Sequence, residues 1–122
     1  MSTVDQNTST PTSWDELPAA VTTYLVAHGA GDRETAIGAF TADATVTDEG
    51  RTHRGRDEIW AWLGGAAGRY TYTTTFTGAI STGATLVDAT QHLEGDFPGG
   101  EADLHFRFTL DGPSISRLVI EP

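Results

Sequence analysis

Asp48 is the side chain of this sequence best placed to do chemistry. It lies in the stretch Phe40-Thr-Ala-Asp43-Ala-Thr-Val46-Thr-Asp48-Glu-Gly50-Arg-Thr-His53-Arg-Gly55-Arg-Asp57-Glu-Ile59. Val46 and Asp48 are two residues apart, so on a strand they share a face. If Val46 looks into a core, Asp48 looks there too. A carboxylate aimed among apolar side chains loses hydration, which raises its pKa and makes it a usable proton acceptor. The chemistry on offer is general acid/base catalysis, a proton taken from carbon or from water. The structural alternative is a strand-end aspartate hydrogen-bonded to the turn at Gly50. The stretch points to a site and names no substrate.

The elements around it can be read from periodicity. Residues 1 to about 13 are polar and read as a disordered tail, ahead of a single domain over 14–122. A helix is expected from near Trp14, with Leu17, Val21, Tyr24, Leu25 and His28 on one face, ending at Gly29-Ala-Gly31. Asp32 caps a second helix, Arg33 to about Phe40, with Ile37 and Phe40 inward. Asp43 makes a turn before a strand from Ala44 to Asp48, and a glycine-punctuated loop leads to a third helix from about Arg56 to Ala67. Ile59, Trp62, Leu63 and Ala66 form its buried stripe, and Gly64-Gly65 weakens its end. From Tyr70 the period changes to two, through Phe76, then Leu86–Leu93, Asp103–Leu110 and Ser114–Ile120. Helices followed by hairpin strands give an α+β fold, with the helices on one face of a curved antiparallel sheet.

Composition narrows the function. With 122 residues the chain makes one domain with a real core. Its 17 acidic against 7 basic side chains, a net charge of −10, argue against nucleic acid, anionic membrane surfaces and polyanionic substrates. The absence of cysteine removes disulfides, thiol catalysis and thiolate metal sites. No apolar run reaches the length of a membrane span and the start lacks a signal-peptide pattern, so a cytoplasmic location is expected.

The order of elements resembles the nuclear transport factor 2-like superfamily. The likeness rests on Tyr24-Leu-Val-Ala-His-Gly-Ala-Gly-Asp32, Phe40-Thr-Ala-Asp-Ala-Thr-Val-Thr-Asp48, Gly55-Arg-Asp-Glu-Ile59 and His105-Phe-Arg-Phe108, and covers Leu17 to Ile120. It implies the cone-shaped α+β fold shared by ketosteroid isomerases, scytalone dehydratase and SnoaL-like polyketide cyclases, here with three N-terminal helices. By similarity to the ketosteroid isomerases, Asp48 occupies the catalytic-aspartate position and Tyr24 that of the oxyanion-hole tyrosine. The second oxyanion donor of those enzymes, an acid, is replaced by Leu104, and Asp103 beside it faces the other way on a strand. A donor lost from such a hole costs about 2.7–4 kcal/mol of transition-state stabilisation, which points away from steroid isomerisation itself. The resemblance also implies a homodimer formed through the outer sheet face.

The remaining candidates follow. Tyr24 would donate to an oxyanion or a ligand; the alternative is a core tyrosine whose hydroxyl reaches a rim. His28, one turn later on the same face, could tune Asp48 or Tyr24, or be a satisfied helix-end histidine. Trp62, Phe76, Val87, Leu104 and Phe106 are expected to line a cavity for a small apolar molecule. Phe108, Leu118 and Ile120 continue that wall where they are not simply core. Gln91 shares the phase of Val87 and Ala89 and would add a polar contact inside, unless a bulge turns it out. His92, Glu94, Asp103 and His105 fall on the outer face without any metal-binding spacing, so no metal is expected, and no cofactor motif occurs. The reading is a cofactor-free isomerase, cyclase or dehydratase acting by proton transfer. Its alternative is a non-catalytic ligand-binding domain of the same fold.

Overall fold

The computed structural model describes residues 9–69 and 72–122, with the side chains of 66–69 excepted. Ala66 as a packing residue, and residues 1–8, 70 and 71, lie outside what is described. Helices α1 (Ala19–Ala30), α2 (Arg33–Gly38) and α3 (Gly55–Arg69) pack on a seven-stranded sheet. The strands are β1 (Ser9–Pro11), β2 (Phe40–Asp48), β3 (Arg51–Arg54), β4 (Tyr72–Thr82), β5 (Leu86–Gly95), β6 (Glu101–Asp111) and β7 (Ser114–Glu121). Their order across the sheet is β1-β4-β5-β6-β7-β2-β3. The α+β class expected from sequence is therefore the observed one. Among the described residues no helix is long and apolar enough to cross a membrane.

Four local expectations need correction. The sheet is mixed, because β2 runs parallel to β7 while the other neighbours are antiparallel. Strands so far apart in the chain need no hairpin, so nothing in either of them signals the pairing. The helices do not all precede the strands, since α3 follows β2 and β3. The tail reading fails from Ser9 onward: Ser9–Pro11 pair with Ile80–Thr82, and Thr12 N–H donates to Ala79 O at 2.8 Å. Ser9, Thr10 and Pro11 bury nothing but can still cover an exposed strand edge. Finally, Asp43 lies inside β2, where the register shifts between Phe40 and Thr45, and its Oδ1 accepts from Thr41 Oγ1 at 3.1 Å.

Elsewhere local chemistry explains the boundaries. A 3-10 turn, Trp14–Glu16, precedes α1, and Glu16 Oε1 accepts from both Ser13 N–H and Ser13 Oγ. Gly31 ends α1 with φ 71°, a left-handed conformation that favours glycine. Asp32 caps α2 by accepting from Thr35 N–H at 3.2 Å. Inside, α1 lays Val21, Tyr24 and Leu25 against the sheet, and Phe40, Phe108, Ile115 and Leu118 complete a core in which each is essentially sealed from solvent. Burying each large side chain contributes about 1.5–3 kcal/mol. The Tyr24 ring is the hub, edge-on to Phe40 at 5.4 Å and to Phe108 at 5.7 Å.

Candidate functional site

Beyond this core the sheet and the helices part around a cavity of about 740 Å³. Asp48 stands on it, as do His28, Trp62, Gln91, Leu104, Phe106 and Ile120. Phe76, Val87, Phe108 and Leu118 do not. Phe76 packs edge-on to Trp14 at 5.2 Å, and the other three belong to the buried core. Tyr24 is absent from the wall as well, because its hydroxyl is enclosed behind His28. The wall gains residues that sequence reasoning missed, chiefly Tyr72, Thr74, Leu93 and Phe97. Tyr72 and Thr74 share the inward phase of Phe76, so alternation alone could have found them.

The Val46–Asp48 inference about facing is borne out locally: Val46 is fully buried and Asp48, half-buried, opens on the cavity. β2 is held from both sides, Asp48 pairing with Arg51 of β3 and with Ile120 of β7. The chain turns back at once through Glu49 (φ 52°) and Gly50 (φ 75°), the two left-handed residues that a tight hairpin requires. The Asp48 carboxylate is tied to a helix rather than to that turn: Trp62 Nε1–H donates to Oδ2 at 3.0 Å. α3 is anchored in turn by Arg56, whose guanidinium donates to Phe40 O at 2.7 Å.

Two tyrosines flank His28. Tyr24 Oη lies 2.5 Å from Nδ1 and Tyr72 Oη 3.3 Å from Nε2. Burial pushes the imidazole down to about 4, so His28 is neutral at neutral pH. Burial also pushes Tyr24 well above the ordinary tyrosine value, helped by Tyr72 and Asp48 nearby, and raises Tyr72, helped by Asp48. Both phenols therefore keep their protons and act as hydrogen-bond donors. His28 sits edge-on to Trp62 at 5.7 Å, so the indole links the imidazole to the Asp48 carboxylate. The chemical inventory of the cavity is the Asp48 carboxylate, with Glu49 and Glu121 also on its wall, a neutral imidazole, a phenol, the Thr74 hydroxyl and the Gln91 carboxamide, set among apolar side chains. It can accept a proton at one point and donate hydrogen bonds at another.

Gln91 faces inward, 6 % exposed, in the phase of β5; the register shift beside it falls on β4, between Phe76 and Gly78, and does not turn it out. The outer face carries the remaining charge. His92 meets Asp103 at 2.7 Å, Glu101 at 3.2 Å and Glu94 at 3.6 Å, and His105 meets Asp88 at 2.9 Å. The ligand atoms of His92, Glu94 and Glu101 lie within 4.8 Å of one another, but all three side chains are at the surface and joined as ion pairs.

No family model and no curated protein matches the chain. Solved structures do. A candidate polyketide cyclase from Sinorhizobium meliloti has 28 % identity and a TM-score of 0.82, over 88 % of this chain and 97 % of that one. A Δ5-3-ketosteroid isomerase from a Mycobacterium species has 20 % identity and a TM-score of 0.71, over 85 % and 90 %. A Mycobacterium tuberculosis protein solved with estradiol-17β-hemisuccinate has 16 % identity and a TM-score of 0.71, over 84 % and 90 %. Sheet order, helix placement and these likenesses agree: the chain has the nuclear transport factor 2-like fold, which it shares with structures that include a candidate polyketide cyclase and a ketosteroid isomerase.

Proposed function

We propose that this protein acts on a small, largely apolar carbonyl or polycyclic molecule by proton transfer, in a conical pocket, with Asp48 as general acid/base. Isomerisation, cyclisation and dehydration all need that step. The observation that carries the reading is the meeting of the Asp48 carboxylate, His28 and Tyr72 on one apolar cavity. Trp62 aims the carboxylate through its indole N–H, and Tyr24 acts through His28. Neighbours in the same fold take rigid polycyclic ligands: one was solved with a steroid ester, and another was designed to bind 17-OHP.

The test is proton exchange. An enolisable polycyclic ketone in D₂O should take up deuterium beside its carbonyl faster with the protein than without it. Asp48→Asn should lower that rate by about 10²–10⁴-fold, the usual worth of a positioned acid or base, while leaving ketone binding nearly intact. Exchange that survives the substitution removes Asp48 from the role.

Leu104 favours a second reading, a binding domain without turnover. It presents an alkyl group to the cavity, while the neighbouring Asp103 is exposed on the outer side. Ketone binding with no exchange above background would select it. The proposal also includes a homodimer through the outer sheet face, where Ile80 and Leu86 are 47 % and 45 % exposed.

A further inference from the structure

Gln91 is the only buried polar residue among the described residues, and its carboxamide has no hydrogen-bond partner among them. Among the described residues no fully enclosed side-chain nitrogen or oxygen goes unpaired, so the Gln91 amide reaches open cavity space. A carboxamide offers two N–H donors and an acceptor oxygen. Held among Leu93, Leu104 and Phe106, it is a polar group kept ready inside an apolar wall.

A second polar point follows from the direction of the hydrogen bonds around His28. The Tyr24 hydroxyl is sealed, with His28 Nδ1 as its partner, so it must donate there or leave its proton unspent. Nδ1 is then the acceptor, and the proton of the neutral imidazole sits on Nε2, directed at Tyr72 Oη. Tyr72 accepts from His28 and keeps its own proton for the cavity. Hydrogen bonds in series polarise one another, so the last hydroxyl is the strengthened donor.

These two points lie apart along the sheet. Phe76 pairs with Gln91, and Tyr72 stands four residues earlier on the same strand. At strand rise that is roughly 13 Å. Between them the wall is mainly Leu93, Leu104 and Phe106, with Thr74 on β4, and among the described residues no lysine or arginine lines it. We propose that the cavity binds an uncharged, rigid molecule with oxygen functions at two ends, one accepting from the Tyr72 hydroxyl and one paired to the Gln91 carboxamide. The assignment rests on the ligand class proposed above.

Calorimetric titration with two rigid four-ring ketones tests it. One carries a hydroxyl at the end remote from the carbonyl and the other carries hydrogen there. In the unsubstituted protein, losing that hydroxyl should weaken binding roughly tenfold, the size of one hydrogen bond to a buried group. In Gln91→Leu the two ketones should bind alike, and Gln91→Met supplies the same comparison if the leucine variant does not fold. Tyr72→Phe should weaken both ketones by a similar factor of about ten. If Gln91→Leu keeps the full preference for the hydroxylated ketone, or Tyr72→Phe binds both as before, the two-ended site is wrong. If the unsubstituted protein binds neither ketone, the ligand class itself falls and takes this assignment with it.

Discussion

The Tyr24 hydroxyl lies 2.5 Å from His28 Nδ1, one helical turn further along α1. This contact joins the sealed core to the cavity and gives His28 a single tautomer, with consequences that solution measurements can read.

Acid should destabilise the protein through His28. Its folded pKa is about 4, against an ordinary value of 6.5. Between those limits the unfolded chain binds a proton that the folded protein refuses, so stability falls as pH drops through the window. The loss reaches about 3 kcal/mol by pH 4. Denaturant midpoints at pH 7, 6, 5 and 4 should decline accordingly, and His28→Gln should flatten the decline. In the intact protein, imidazole nitrogen shifts should report a proton on Nε2 down to about pH 5. A proton on Nδ1, or titration near 6.5, would contradict the arrangement.

Tyr24→Phe keeps the ring against Phe40 and Phe108 but strips Nδ1 of its donor. An acceptor left unpaired at a largely buried site costs about 1–3 kcal/mol. Urea unfolding at pH 7 should show a loss in that range. A loss near zero would mean that the hydroxyl contributes only through its packing.

Two adjacent glycines of α3 should respond differently to alanine. Gly65 has open space around it, so Gly65→Ala should gain roughly 1 kcal/mol from helix propensity alone. At Gly64 a methyl group would fall 2.2 Å from the Arg33 guanidinium. Arg33 lies 4.0 Å over the Trp60 ring, a contact worth about 0.5–1 kcal/mol at an exposed site. Gly64→Ala should therefore come out near neutral. Equal gains from both in thermal unfolding would show that the Arg33 contact carries no weight.

A dimer through the outer sheet face would bury Leu86. Placing a charge there with Leu86→Glu should shift the sedimentation-derived mass from two chains to one. Identical masses before and after would move the contact elsewhere.

Phase was the legible part of this sequence. Along β5 the alternation puts Val87, Ala89, Gln91 and Leu93 inward, and all four are buried. The same two-residue logic carried Asp48 to the cavity with Val46 as its guide. What could not be read had no side-chain signal. Arg51–Arg54 form β3 although none of the four is apolar, because the Glu49-Gly50 turn folds them back onto β2. Ser9–Pro11 become a strand through backbone pairing, with Ser9 Oγ meeting Thr82 Oγ1 at 3.0 Å. Tyr24 sits as near the centre as expected, yet its hydroxyl turns to His28, and direction of that kind is set by three-dimensional neighbours. The end of α3 expected near Ala67 falls two residues short of Arg69, and Gly64-Gly65 do not interrupt it.

β7 lies between β6 and β2, so it is the seam of the whole sheet. Val46 meets Leu118 and Asp48 meets Ile120, contacts that join segments far apart in the chain. Closing so large a loop is entropically costly and slows folding. During synthesis the acid on β2 is thus made well before the strand that walls it. Until Ser114–Glu121 emerge, β6 and β2 each lack their shared neighbour, and an unpaired strand flank of that kind is open to mispairing with other chains.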